Sequence, residues 1–222
     1  MYWTNPYIEK VENHPNILVD ETKIFSHAGN WKIYFWNNVP LVLEIGTGMG
    51  NFFGKLVWEN VEKNFLWLEL RYKRLLSTAE KAIHANLKNK REKYNFIVLK
   101  TPGQTIDQIF TQSELSETYI FFPDPWATKE RQKKNRLVGY DFLKKLSFIT
   151  KIWGKFYFKT DHREYFESVL SLLKDFPEWK ENICSFDYEQ EEELFDTKNI
   201  TEFESYYRGQ NLKIHYLEWE RI

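Results

Sequence analysis

The chain has 222 residues, of which 42% are hydrophobic and 18% aromatic, with a formal net charge of −1. That is enough apolar material for one well-cored domain, and the balanced charge excludes wholesale electrostatic wrapping of nucleic acid while leaving room for a local basic patch. A single cysteine, Cys184, excludes an intrachain disulfide framework.

Neither an apolar leader segment nor a run of about 18 apolar residues is present, so the expectation is a cytoplasmic protein with no membrane span. Residues 1–35 read as a polar lead-in, aromatic-spiked and carrying Pro6 and Pro15, with room to move. Residues 36–222 read as one domain. The five histidines (14, 27, 84, 162, 215) lack ligand spacing, so no metal site is expected.

Short apolar strands then alternate with helix-period segments, the pattern of βαβ units and a parallel sheet. Leu41–Ile45 reads as a strand and Asn51–Trp58 as the helix after it. Phe65–Leu70 is the next strand. Tyr72, Leu75, Leu76, Ala79 and Ile83 recur at helical spacing behind it. Asn95–Leu99, Thr118–Phe122 and Lys155–Thr160 continue the strands, separated by helices over Gln104–Phe110 and Leu137–Ile149. A helix over His162–Leu173 follows, with Asp161 as its expected N-cap. Glu181–Tyr188 and Leu212–Trp219 close the set as an antiparallel pair, because no helix-length apolar repeat lies between them. The expected architecture is a Rossmann-like α/β fold: seven strands, mostly parallel with an antiparallel last strand, and helices on both faces.

Three segments carry chemistry. Leu41-Val-Leu-Glu-Ile-Gly-Thr-Gly-Met-Gly50 runs from strand to glycine turn to helix. Gly46, Gly48 and Gly50 let a ligand approach the backbone, and the helix start favours negative charge. The spacing is not the dinucleotide fingerprint, since Asn51 stands where its third glycine belongs. Glu44 is a carboxylate inside an apolar strand. It needs a cation, either the ammonium of a methionine-like ligand or a nearby lysine. Glu69 closes the second strand, where a carboxylate can accept both hydroxyls of a ribose.

The third segment is Thr118-Tyr-Ile-Phe-Phe-Pro-Asp-Pro-Trp126. Two prolines stop the strand and stiffen the turn, placing Asp124 beside Trp126. A carboxylate there can accept from the two donors of guanine's Watson–Crick edge, and an indole offers a stacking face. Lys129-Glu-Arg-Gln-Lys-Lys-Asn-Arg136 adds five cations against one anion, suited to phosphates. The plain alternative is a rigid surface turn before a solvated charge run.

With these residues in view, the chain resembles the bacterial tRNA (guanine-N7)-methyltransferases, a family of the class I S-adenosylmethionine-dependent fold. The resemblance covers about residues 31–219 and rests on Glu44–Gly50, Leu68-Glu-Leu-Arg71, Phe122-Pro-Asp-Pro-Trp126, Phe158-Lys-Thr-Asp161 and Thr201-Glu-Phe-Glu204. It implies methyl transfer from S-adenosylmethionine to N7 of a guanosine in the variable loop of tRNA. It implies Asp124 as the acid at the chemical centre. Glu44, Gly46, Gly48, Gly50, Glu69 and Pro102 would line the cofactor. Lys129, Asp161, Thr201, Glu202, Phe203 and Glu204 would hold the target nucleoside. The partner would be tRNA, met by a monomer or homodimer.

The chain departs from the family pattern at Pro102-Gly103, where an acid or amide followed by Ala is usual. It also departs in the basic run, which here opens with Ala127-Thr128 and contains no histidine. Those departures leave open a methyltransferase for another substrate, or a tRNA-binding module without catalysis. Read locally, Thr201-x-x-Glu204 is also a helix capping box.

Overall fold

The computed structural model describes residues 5–46, 48–88, 94–188 and 200–222. Residues 1–4 of the lead-in, Thr47 and the acidic stretch with Glu189 and Glu191–Glu193 lie outside them. The chain opens with α1 (Ile8–Glu12), β1 (Ile17–Leu18), α2 (Glu21–Ser26) and α3 (Trp31–Phe35). Then come β2 (Leu41–Ile45), α4 (Asn51–Glu59), β3 (Asn64–Leu68), α5 (Tyr72–Lys88) and β4 (Phe96–Leu99). A 3-10 turn (Gly103–Thr105) leads into α6 (Ile106–Ile109) and β5 (Leu115–Phe121). A second 3-10 turn (Glu130–Asn135) precedes α7 (Tyr140–Ile149), β6 (Thr150–Thr160), α8 (Arg163–Leu173), β7 (Trp179–Ser185), α9 (Glu202–Arg208) and β8 (His215–Arg221).

The strands form one sheet in the order β1-β4-β3-β2-β5-β6-β8-β7. From β1 to β6 the pairings are parallel, and β8 runs antiparallel to both β6 and β7. All five residues of β2 and of β3 are buried, as strands covered on both faces must be. Alternation sorts their side chains. Leu41, Leu43, Ile45, Leu66 and Leu68 join the core under α2, α3 and α6 to α8. Val42, Phe65 and Trp67 join the core under α1, α4 and α5.

Eight strands are present where seven were expected. The added one, β1, pairs Ile17 with Val98 and Leu18 with Leu99. Two residues are too short to show a period, so only tertiary pairing makes this a strand. Around it, Val11, Ile24 and Trp31 are fully buried, and the Trp31 indole donates to the Ile109 carbonyl at 2.9 Å.

Among the boundaries that differ from expectation, two bear on the site. Strand β3 stops at Leu68, because the Glu69 carboxylate turns back to accept from the Leu70 and Arg71 amides at 2.7 and 3.0 Å, curling the chain toward α5. Helix α8 is capped by His162, whose Nδ1 accepts from the Tyr165 amide at 3.2 Å, and not by Asp161. That leaves the Asp161 carboxylate unused as a cap.

Candidate functional site

Parallel strands point their carboxyl ends to one edge of the sheet, and β2 and β5 are neighbours whose chains continue in opposite directions across it. The crevice beyond such a switch point is where open α/β sheets take ligands. Glu44 lies near the end of β2 and Gly46, Gly48 and Gly50 follow it, Glu69 follows β3 and Pro102 follows β4. Asp124 follows β5 and Asp161 follows β6. Because β8 is antiparallel and starts at His215 opposite Thr160, α9, which precedes β8, is delivered to the same edge. The fold therefore gathers sequence-distant candidates from six connections.

Glu44 lies in the central strand and not at an edge; its register neighbours are Trp67 and Tyr119. It is 1% exposed, and neither carboxylate oxygen has a hydrogen-bond partner among the described residues. Burial pushes its pKa well above the usual carboxylate range. Among the described residues no lysine meets it, so the pairing offered by the plain alternative is not made there. A buried carboxyl without a hydrogen-bond partner next to a glycine turn fits a ligand that brings a cationic donor.

The turn itself has φ of 68° at Gly46, 56° at Gly48 and 78° at Gly50. At Gly50 a side chain would collide with Thr78, whose Cα would stand 2.7 Å from an added Cβ. At Gly46 nothing lies within 4 Å of that position, so the backbone faces open space. Glu69 accepts its two backbone amides through Oε1, while Oε2 makes no hydrogen bond and lies 3.6 Å from Arg74. Pro102 is extended (φ −71°, ψ 146°) and opens the 3-10 turn. Behind it Gly103 packs so closely that an added Cβ would sit 2.8 Å from Ile45 and 2.9 Å from Leu137. The glycine of the Pro-Gly pair is thus a packing requirement of this chain.

The Pro-Asp-Pro corner is strained on both sides. Phe122 has φ 53° and Trp126 φ 46°, left-handed values that bulky residues avoid. The Phe122 amide donates to the Lys159 carbonyl at 2.8 Å, tying the corner to β6. Asp124 and Trp126 are exposed. The Tyr207 ring of α9 lies tilted 5.5 Å from the Phe122 ring and stacked 6.4 Å from the Phe203 ring. Burial raises the Tyr207 phenol pKa, and the carboxylates of Asp161 and Asp124 raise it further. One hydroxyl therefore lies in the field of both acids. Asp161 itself is half-buried, and burial raises its carboxyl pKa.

Within the Thr201–Glu204 segment the four residues do different things. Thr201 caps α9, its hydroxyl accepting from the Glu204 amide at 3.0 Å. Glu202 reaches the glycine-turn helix, accepting from Asn51 and lying 3.6 Å from Lys81. Phe203 covers Gly48. Glu204 is fully buried and faces inward, bonded to Lys159 at 2.9 Å and Arg208 at 2.5 Å. Its side chain does not return to Thr201, so only half of the capping box forms. In the basic run, Lys133 and Arg136 both pair with Glu164, at 2.8 and 3.1 Å. They hold its carboxyl down to about pKa 2. Lys129, Arg131 and Lys134 are exposed, and no ion pair engages them among the described residues.

Sequence reasoning singled out neither Tyr207 nor Lys159. A lysine inside the apolar run Phe156–Thr160 was the available signal, since a buried ammonium requires a carboxylate. Among the described residues no group of three or more His, Cys, Asp or Glu side chains is placed to hold a metal, and no helix is long and apolar enough to cross a membrane.

A family model described as "Putative methyltransferase" matches residues 38–217. A tRNA (guanine-N(7)-)-methyltransferase of Lysinibacillus sphaericus is 33% identical over 76% of the chain and 74% of its own length. One of Oenococcus oeni is 30% identical over 94% of the chain and 92% of its own. A bifunctional glycosyltransferase/methyltransferase of Fusobacterium nucleatum is 36% identical over 98% of the chain, which spans 33% of that longer protein. Among solved structures, the 16S rRNA methyltransferase KamB superposes with a TM-score of 0.59 at 13% identity, covering 87% of this chain and 93% of its own, a likeness of fold.

Proposed function

The chain belongs to the tRNA (guanine-N7)-methyltransferase family, and from that premise we propose that it transfers a methyl group from S-adenosylmethionine to N7 of a guanosine in tRNA. The observation that carries the reading is the orphaned Glu44 carboxylate beside a glycine turn whose Gly46 faces open space. That pairing of an unmet buried acid with bare backbone fits a ligand bearing an ammonium and needing close approach. Glu44 and the Gly46–Gly50 backbone would hold the amino-acid end of S-adenosylmethionine, Oε2 of Glu69, which makes no hydrogen bond, its ribose, and the backbone at Pro102 the edge of its adenine.

When bound, the cofactor supplies an electrophilic methyl on a sulfonium. Guanine N7 already carries a lone pair and no proton, so no residue is needed as a base to create the nucleophile. The protein's work is positioning and electrostatics. Asp124 accepts from N1–H and the exocyclic amine, which adenine cannot offer together, and its charge offsets the positive charge that develops on the methylated ring. The strain at Phe122 and Trp126 keeps that acid on a stiff corner. Asp161 and Lys129 hold the ribose and its phosphate, while Thr201, Glu202 and Phe203 fix α9 over the turn. Glu204 acts from below by clamping α9 to Lys159. With tRNA as partner, the cytoplasm is the implied location.

Nucleoside mass spectrometry of tRNA incubated with the protein and S-adenosylmethionine tests the reading. The expected product is 7-methylguanosine. Any other methylated nucleoside reassigns the substrate, and tRNA binding without methylation reduces the chain to a binding module.

A further inference from the structure

We infer that Glu21, in the lead-in before the sheet's central strands, recognises the adenine of the cofactor, its carboxylate accepting from the exocyclic amine. It rests on the placement of S-adenosylmethionine across Glu44, Glu69 and Pro102 and extends that placement by one strand.

The order of the strands points to this residue. Along the sheet β2, β3, β4 and β1 are successive neighbours. Glu44 and the glycine turn belong to the first, Glu69 to the second and Pro102 to the third. The amino acid, ribose and base of the cofactor are thus laid out in strand order, and the base points toward β1. Because β1 is parallel to β4, with Leu18 opposite Leu99, it ends at the same edge of the sheet. The Lys100 amide donates to the Leu18 carbonyl at 2.8 Å. Just beyond, the Thr101 hydroxyl donates to the Glu21 carboxylate at 3.1 Å. Glu21 is therefore bonded to the residue directly before the one that borders the adenine.

An adenine amine needs an acceptor, and the neighbouring groups narrow the choice. Pro102 has neither a polar side chain nor a backbone N–H. Its carbonyl already accepts from the Thr105 amide at 3.1 Å and the Thr105 hydroxyl at 2.7 Å, which occupies both lone pairs. Asp20, the adjacent acid, is turned to cap α2, accepting from the Thr22 and Lys23 amides at 2.9 and 3.4 Å. Gln104 lines the groove beside α7, and its carbonyl accepts from Lys145 at 2.7 Å. Glu21 is exposed and makes no ion pair among the described residues. Lys100 is turned to the Tyr72 ring, 4.9 Å from its centroid. The one bond from Thr101 orients the Glu21 carboxylate and leaves most of its roughly four acceptor positions open.

A carboxylate is an acceptor only. It favours the amine of adenine and disfavours a purine that carries a carbonyl oxygen in the same place. Glu21 thereby fixes which base the cofactor bears as well as where that base lies.

Calorimetry on the full chain tests this, with S-adenosylhomocysteine and with S-inosylhomocysteine, in which an oxygen replaces the amine. Wild-type protein should bind the amino ligand tighter by roughly 10- to 100-fold, the range for a hydrogen bond to a charged acceptor. Glu21→Ala should weaken S-adenosylhomocysteine by about that factor and leave the two ligands within about threefold of each other. Glu21→Gln carries a donor as well as an acceptor, so it should gain affinity for the oxo ligand that Glu21→Ala does not, a change no merely structural role produces. Gln104→Ala should keep the wild-type ratio. Both positions are exposed, so thermal melting of all three variants should stay close to wild type. If the wild type prefers the amino ligand and Glu21→Ala keeps that preference, or if Gln104→Ala loses it, the assignment of Glu21 is wrong while the cofactor reading stands. Equal binding of the two ligands by the wild type has the same meaning. If the wild type binds neither, both are wrong.

Discussion

The Phe203 ring lies against Gly48, so that a methyl group on that glycine would stand 2.9 Å from its Cε2 and 3.4 Å from its Cδ2. Two segments 155 positions apart in sequence are thus in van der Waals contact over the cofactor turn. Gly48→Ala should push α9 away as well as strain a backbone with φ 56°. The expected loss is about 1–2 kcal/mol in stability, accompanied by weaker S-adenosylhomocysteine binding. Gly46→Ala carries the same backbone strain but meets no neighbour. It should melt less early and lose ligand binding more, because its methyl occupies the open space. Denaturant melts and calorimetry on the pair separate packing from binding.

Glu44 sets a pH dependence whose sign is fixed. Its pKa is raised in the folded chain, so between the ordinary carboxylate value and the raised one the native state holds a proton that the unfolded state has already released. Stability from this group is greatest in acid and falls as pH rises from the ordinary carboxylate range toward the raised value. Glu44→Gln should flatten the dependence of Tm on pH above the ordinary carboxylate range and raise Tm at the upper end. The same variant should lose cofactor affinity. In the wild type, binding should release a proton, visible as a buffer-dependent heat in calorimetry; a buffer-independent heat would contradict the placement of an ammonium at Glu44.

Asp124 is exposed and makes no ion pair among the described residues, which suits a group kept for a ligand. Asp124→Ala should lower the single-turnover rate by roughly 10²–10³, with S-adenosylhomocysteine binding and Tm close to wild type. A rate loss below tenfold would move the chemical centre elsewhere.

The buried triad of Lys159, Glu204 and Arg208 should behave as structure. Glu204→Ala leaves the Lys159 ammonium, 3% exposed, without this carboxylate, a change of about 3–5 kcal/mol for a buried pair. The double variant Lys159→Met, Glu204→Leu should recover much of that loss, because a well-packed apolar pair avoids the desolvation of two charges. Chemical denaturation of the two variants checks both statements.

Tyr207 joins the corner to α9 through its ring and the acids through its hydroxyl. Tyr207→Phe should retain the ring packing and alter mainly the pH profile of methyl transfer. Tyr207→Ala should in addition lower kcat/KM by about tenfold, the equivalent of one aromatic contact of ~1.4 kcal/mol.

Much of this was legible in the sequence for identifiable reasons. Strands β2, β3 and β4 are largely apolar runs, every residue of each being buried, and glycine and proline punctuation after β2 and β5 marks the edge where ligands bind. Strand β1 was hidden, because Ile17 and Leu18 are a strand only by virtue of Val98 and Leu99. The cap of α8 was misplaced by one residue, since aspartate is the stronger capping type and only geometry shows the His162 ring turning back. The Thr201–Glu204 motif pointed to the right place while concealing a division of labour. Burial, which no local pattern reports, assigns Glu204 to the interior and leaves Glu202 and Phe203 at the turn. Exposure likewise separates the basic run into Lys133 and Arg136, held by Glu164, and the three cations facing solvent.

The position of β8 between β6 and β7 has a consequence for how the protein emerges from the ribosome. Strand β7 is at the rim of the sheet and its sole strand neighbour is β8, which is synthesised some thirty residues later. Until residue 221 has left the exit tunnel, β6 presents an open rim, β7 has nothing to pair with, and Lys159 waits for α9. At translation speeds of about 5–20 residues per second that interval lasts on the order of seconds. A nascent chain stalled before residue 200 would therefore hold the glycine turn with neither Phe203 nor Glu202 over it, and the sticky margin along β6 would be the surface most in need of a chaperone.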